Sequence, residues 1–161
     1  LYKFTVAADA NNDVVFKAIQ PDMTLNDSDS QGELVIATST VYLYDVTSGE
    51  TLLNTTGVNK VDLIPIDDSK IVTITKGTSK TFEIRGTIAG VETGDSINVK
   101  ITKDIAALSS TTETSADAIA DAQNNFIWSD KSADTNGVAS VEWINSYLLT
   151  GWPTSVATLT K

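Results

Sequence analysis

In Ser96–Lys103, SINVKITK, the side chains alternate: Ile97, Val99 and Ile101 are apolar, while Asn98, Lys100 and Thr102 are polar. A strand sends successive side chains to opposite faces, so this pattern suits an antiparallel sheet with one dry and one wet face. The pattern recurs. LYKFTVAA (Leu1–Ala8) sets Tyr2, Phe4 and Val6 against Lys3 and Thr5, and TFEIRGTIAG (Thr81–Gly90) sets Phe82 and Ile84 against Glu83 and Arg85. VVFKAI, ELVIA, VYLYDV, TLLN and KIVTITK are further strand candidates. Turn chemistry separates them, notably DANND at Asp9–Asp13 and the polar loop NDSDSQG at Asn26–Gly32. VDLIPI (Val61–Ile66) also reads as a strand, and Pro65 places it at an edge or bulge because proline cannot donate to a ladder. About nine or ten short strands without strand–helix–strand alternation predict an all-β fold. The expected form is an antiparallel β-sandwich, immunoglobulin-like in architecture only, since the chain has no cysteine and so no Cys–Trp–Cys hallmark.

The length of 161 residues suits a single domain over 1–161, large enough to bury a core without disulfides. Two stretches depart from the rhythm. Residues 104–123 are rich in Ala, Ser and Thr and read as a long surface loop with one helix-compatible piece, SADAIADA. Residues 125–161 form an aromatic-rich closing segment that holds Trp128, Trp143 and Trp152, with Phe126 and Tyr147, and ends in the alternating SVATLTK. Val141–Leu149 fits either a helical turn or a bent strand.

Charge and missing residue types exclude several functions. The formal charge is −10, which argues against a nucleic-acid partner, because phosphate binding needs a concentrated basic face. There is no histidine and no cysteine, which removes the commonest general base, the commonest transition-metal ligand and all thiolate chemistry. No apolar run approaches the roughly 20 residues of a membrane helix, so no membrane insertion is expected in this chain. The first residue is Leu1, which suggests a mature product or a module of a longer protein.

Several groups of residues are candidate sites. Asp130, Ser132, Asp134 and Asn136 alternate before Gly137, and oxygen ligands at every second position can converge on Ca²⁺. A polar turn capping its own backbone accounts for the same residues, and Thr135 stands where an EF-hand needs glycine. Asp9, Asn11 and Asp13 form a second such loop that a hairpin turn alone explains. Trp128, Trp143, Tyr147 and Trp152 could pack as core or subunit contact, or stack against sugar rings; core or contact is the preferred reading. Asp67, Asp68, Glu113, Asp117 and Asp121 could pair as carboxylates. No phosphate cradle or nucleophile elbow accompanies them, so an enzyme is not expected. Lys3, Lys17 and Lys100 lie in strands and raise the question of a Lys–Asn cross-link. Alternation, however, turns Lys3, Lys100, Asn98 and Glu83 outward. Asn26-Asp27-Ser28 and Asn54-Thr55-Thr56 match the N-glycosylation acceptor sequence.

LYKFTVAADANNDVVFKAI at the start, with KTFEIRGTIAGVETGDSINVKI and FIWSDKSADTNGVASVEWINSYLLTGWPT later, resembles modules of large secreted bacterial surface proteins. These are of S-layer or adhesin type and common in candidate-phyla bacteria. The resemblance implies an exported, extracellular β-sandwich that builds or decorates a cell surface, and it brings no ligand residues. The expected function is therefore structural: copies of the chain, or neighbouring surface modules, associate through strand edges and aromatic contacts into a layer or fibre. One alternative is a fimbrial or pilus subunit that donates a strand bearing Tyr2, Phe4 and Val6. Another is a carbohydrate-binding adhesin module with glycans as partners.

Overall fold

The computed structural model describes residues 1–29, 31–37, 41–52, 64–65, 71–107, 124–131, 143–150, 152 and 155–161. The strands run β1 (Tyr2–Ala7), β2 (Val14–Ile19), β3 (Pro21–Asn26), β4 (Val35–Ile36), β5 (Tyr42–Asp45), β6 (Glu50–Thr51) and β7 (Ile64–Pro65). They continue as β8 (Val72–Ile74), β9 (Ser79–Arg85), β10 (Ile88–Ala89), β11 (Ser96–Ile101), β12 (Phe126–Ser129), β13 (Ile144–Asn145) and β14 (Ala157–Thr160). No α-helix occurs among the described residues; a single 3₁₀ turn spans Ser146–Leu148.

The protein is all-β, and its pairings are antiparallel. Among the described residues, four sheets have the orders β1-β9-β5-β6, β14-β11-β3, β13-β12-β2-β7 and β10-β4, with β8 also paired to β2. The strands outnumber the nine or so expected from alternation. The physical reason is length: β4, β6, β7, β10 and β13 are two residues each, too short to show a period. β3 is a second departure. Its burial alternates, with Pro21 and Met23 inward and Asp22 and Thr24 outward. Pro21 is the first residue of an edge strand, one of the few sheet positions where the missing N–H costs nothing. Pro65 also lies in an edge strand, β7.

The alternating segments bury the predicted faces. Ile97, Val99 and Ile101 of β11 are buried, as are Phe82 and Ile84 of β9. Gly90 ends β10 with φ +68°, and a Cβ there would lie 2.0 Å from the Glu33 carbonyl oxygen, so glycine is needed for the chain to pass this close.

The main core joins two sheets through a relay of rings. Phe4 faces Phe82 across the β1–β9 ladder, with ring centroids 5.6 Å apart. Phe82 meets Phe16 of β2 edge-on at 4.8 Å, and Phe16 stacks on Phe126 of β12 at 5.3 Å. Phe126 in turn contacts Trp152 at 5.2 Å. Edge-on and offset stacks are the favoured arrangements of such rings. A second, smaller cluster holds Val15, Ala18, Ile127 and Trp143. β2 lies between the two clusters and is buried on both faces. Its register against β12 shifts between Ile127 and Trp128, which pair with Ala18 and Phe16, so the irregularity falls at Lys17. This bulge carries Lys17 into the interior at 2% exposure. Lys3 and Lys100 instead stay on the wet faces, where they pair with Glu83 and Asp22 at 3.6 and 3.2 Å.

Candidate functional site

The closing segment is fastened by a buried polar clamp that alternation does not announce. Asp104, Asn124, Asn145 and Ser146 are all buried. The Asp104 carboxylate accepts from the Ser146 backbone N–H at 2.8 Å, from the Ser146 hydroxyl at 2.6 Å and from the Asn125 N–H. The Asp104 N–H donates back to Ser146 Oγ at 2.8 Å. Asn145 Nδ2 donates to Asn124 Oδ1 and to the Ala106 carbonyl, each at 2.9 Å, while Asn145 Oδ1 caps the 3₁₀ turn by accepting from Tyr147 N. These bonds tie 104–106, 124–125 and 145–147 together. Buried polar groups of this kind must be satisfied, and here they satisfy one another.

The clamp positions the tryptophans, and it separates them. Trp143 is core, 4% exposed, within the second cluster. Tyr147 sits on the 3₁₀ turn and is exposed. Trp128 and Trp152 are half-buried and pack against the main core. The four rings therefore form no common platform. Trp128 Nε1 donates to the Asn145 carbonyl at 3.0 Å, which fixes that ring. Trp152 Nε1 is buried with no hydrogen-bond partner.

Trp128 and Trp152 line a cavity of about 580 Å³ at the open end of β1 and β12. Phe126, Val6 and Leu149 complete its apolar wall, and Asp9, Asn12, Asp130 and Thr150 give it polar groups. Asp9 belongs to the β1–β2 turn and accepts from the Asn11 N–H at 2.7 Å and the Asn12 N–H at 3.3 Å. Those two bonds, the Asn11 bond first, hold its carboxyl below the usual range. Of the predicted calcium ligands, Asp130 lies at this cavity, while Ser132, Asp134 and Asn136 lie outside the described residues. The candidate strand donors are seated at home: β1 pairs with β9, and Tyr2 and Phe4 are buried in the main core, with Val6 packed against it.

Sequence reading passed over an acidic loop. Among the described residues, oxygens of Asp27, Asp29 and Glu33 lie within 4.8 Å of one another, a donor set suited to a hard cation. Several of these oxygens already serve the backbone: Asp27 accepts from Asp29 N and, at 2.6 Å, from Gly32 N, and Asp29 accepts from Gln31 N. Desolvation, followed by repulsion from Asp29, Glu92 and Asp27, raises the Glu33 carboxyl above its usual value against its own backbone bond. The signal in the sequence was the alternation of Asp27 and Asp29 ahead of Glu33. Nearby Asp95, 3% exposed, accepts from Glu92 N at 2.7 Å and Ser28 N at 2.9 Å, and these bonds lower its pKa. Asp45 behaves likewise. Desolvation works to raise it, but bonds from Thr47 and Ser48 and the charge of Lys80 leave it lowered.

A pH dependence follows. The lowered carboxyls of Asp9, Asp45 and Asp95 contribute stability above their unfolded value of 3.8, and it is lost as pH falls through their folded values. Glu33 acts with the opposite sign: its contribution is present below 4.5 and lost as pH rises through its folded value. Burial lowers the Leu1 amino group from 8.0, so the melting temperature is expected to ease as pH falls past that group and then to fall steeply in acid, where the carboxyls titrate. Calorimetric melting across this range checks it, and Asp45→Asn should make the acid limb shallower. A midpoint that does not fall below about pH 4 would contradict the assignment.

Compared with known proteins, the chain matches no family model, no curated protein and no solved structure.

Proposed function

We propose that this chain is a structural module of a cell surface, an antiparallel β-sandwich of immunoglobulin-like architecture whose copies associate through sheet edges. The observation that carries the reading is β14. Ala157 and Leu159 sit opposite Val99 and Ile97 of β11, and so lie on the core-facing side of the sheet. Yet Leu159 is 42% exposed and the adjoining Val156 is 55% exposed. No described strand pairs with the other side of β14. Open backbone donors and acceptors therefore run beside uncovered apolar side chains, the combination that a strand from another copy would cover.

The strand-donating alternative has less support, because Tyr2 and Phe4 fill their own core. Asp67, Asp68, Glu113, Asp117 and Asp121 lie outside the described residues, while Asp9, Asp27, Asp45, Asp95 and Asp104 accept from backbone N–H groups, a structural use of carboxylates. The composition, without histidine or cysteine and with a charge of −10, is compatible with an extracellular setting.

The test is size. Multi-angle light scattering and negative-stain microscopy at rising concentration should show oligomers, sheets or filaments. The double substitution Val156→Lys with Leu159→Lys should leave a monomer of nearly unchanged melting temperature, since both side chains are surface-exposed. A wild-type chain that stays monomeric throughout sinks the reading.

A further inference from the structure

We infer that the cavity between the β1–β2 turn and the closing segment is a binding site for an uncharged pyranose ring of a glycan. This activity is separate from edge association and does not depend on it.

The argument starts from how the two indoles are held. Trp128 turns its nitrogen inward to the Asn145 carbonyl, and the nitrogen of Trp152 is shielded from solvent. Both rings are only half-buried, so the surface they leave accessible is carbon. Both line the same cavity. Carbon surface of a fixed aromatic ring is what the C–H face of a pyranose packs against, at little entropic cost because the rings are already immobile. The rings are held from behind: Trp152 contacts Phe126 at 5.2 Å, and Trp128 is bonded to the clamped segment.

The polar groups fit the same ligand. Asp9, Asn12, Asp130 and Thr150 line the cavity beside the indoles and offer carboxylate, amide and hydroxyl groups. A sugar ring presents hydroxyls at its edge, and such groups suit them as donors and acceptors. The volume of about 580 Å³ lies within the range of small-molecule pockets. Charge narrows the class. Two carboxylates at the cavity on a chain of charge −10 disfavour uronic and sialic acids. A quaternary ammonium would also meet aromatic faces and acids, but it would make no use of the Asn12 amide or the Thr150 hydroxyl.

The test uses the whole chain. Tryptophan emission and titration calorimetry are recorded against neutral oligosaccharides (gluco-, manno-, galacto- and N-acetylglucosamine series), against acidic oligosaccharides and against choline. Saturable binding of at least one neutral series, with a change in emission, is expected. Asn12→Ala, at an exposed turn position, should weaken it by about tenfold through loss of hydrogen bonding. Trp152→Ala should abolish it. Because Trp152 also touches the core, the Asn12 variant keeps the test sound if Trp152→Ala unfolds. The inference is overturned if no neutral series binds at millimolar concentration, if only acidic sugars or choline bind, or if Asn12→Ala and Thr150→Val both bind as tightly as the parent. Light scattering of the double-lysine variant separates this outcome from that of edge association.

Discussion

Phe16→Ala is expected to lower the unfolding free energy by about 3–5 kcal/mol, a large share of the stability of a chain this size. Phe16 is fully buried, meets Phe82 edge-on at 4.8 Å and stacks on Phe126 at 5.3 Å. It therefore joins the β1–β9 sheet to the β2–β12 sheet, and its removal costs transfer energy, a cavity and three aromatic contacts, with Phe4, Phe82 and Phe126, at once. Neighbours cannot collapse into the hole, because β2 is anchored on both faces. Phe16→Leu, which keeps most of the volume, should cost far less. Urea titration with matched slopes measures both. A loss near 1 kcal/mol for the alanine variant would mean that the two sheets do not share this core.

Asp104→Ala comes next, with an expected loss of about 3 kcal/mol or more. The substitution strands the Ser146 N–H, the Ser146 hydroxyl and the Asn125 N–H, all of which donate to this carboxylate. Unlike Phe16→Ala, its effect should be local. Amides of 143–149 should lose exchange protection, and the emission of Trp128, bonded to Asn145, should shift to the red. Amides of β9 and β11 should keep their protection relative to the global value. Uniform loss across the chain would contradict a clamp specific to the closing segment. Asp104→Asn, which keeps two acceptor sites on one oxygen, should fall between.

The strands that could be read from the sequence were those in which burial is periodic. β11 and the second half of β9 announced themselves because each inward position (Ile97, Val99, Ile101, Phe82, Ile84) is aliphatic or aromatic and each neighbour is polar. β5 obeys the same alternation, but its inward partner to Leu43 is Asp45, 1% exposed and satisfied by a turn and by Lys80. An acid at a core-facing strand position was therefore a legible signal. β3 was obscured by Pro21, whose cost depends on which edge is open, a fact of the assembled sheet. The two-residue ladders depend on neighbours brought in from elsewhere. The clamp was hidden for a different reason. Asp104 and Ser146 are 42 residues apart, and polar side chains that satisfy one another across that distance follow no local period. The cavity joined Asp9 and Asn12 to Trp128 and Trp152, which the sequence placed at opposite ends. The aromatic richness of the closing segment was visible, but the division of its rings between core, cavity and surface was not.

The bulged strand β2 sets the tempo of folding. Its partners are β7 and β8, some way along the chain, and β12, where Phe16 pairs with Trp128. Ladders between such distant segments form slowly, on the order of milliseconds to seconds in domains of this kind. During synthesis β2 must wait for most of the chain to emerge, holding Val15, Phe16 and Ile19 without their final cover. The charge on Lys17 travels with them through that interval, in the middle of an otherwise apolar strand. A charge in the middle of an apolar strand is the kind of gatekeeper that disfavours pairing with another chain while the strand waits.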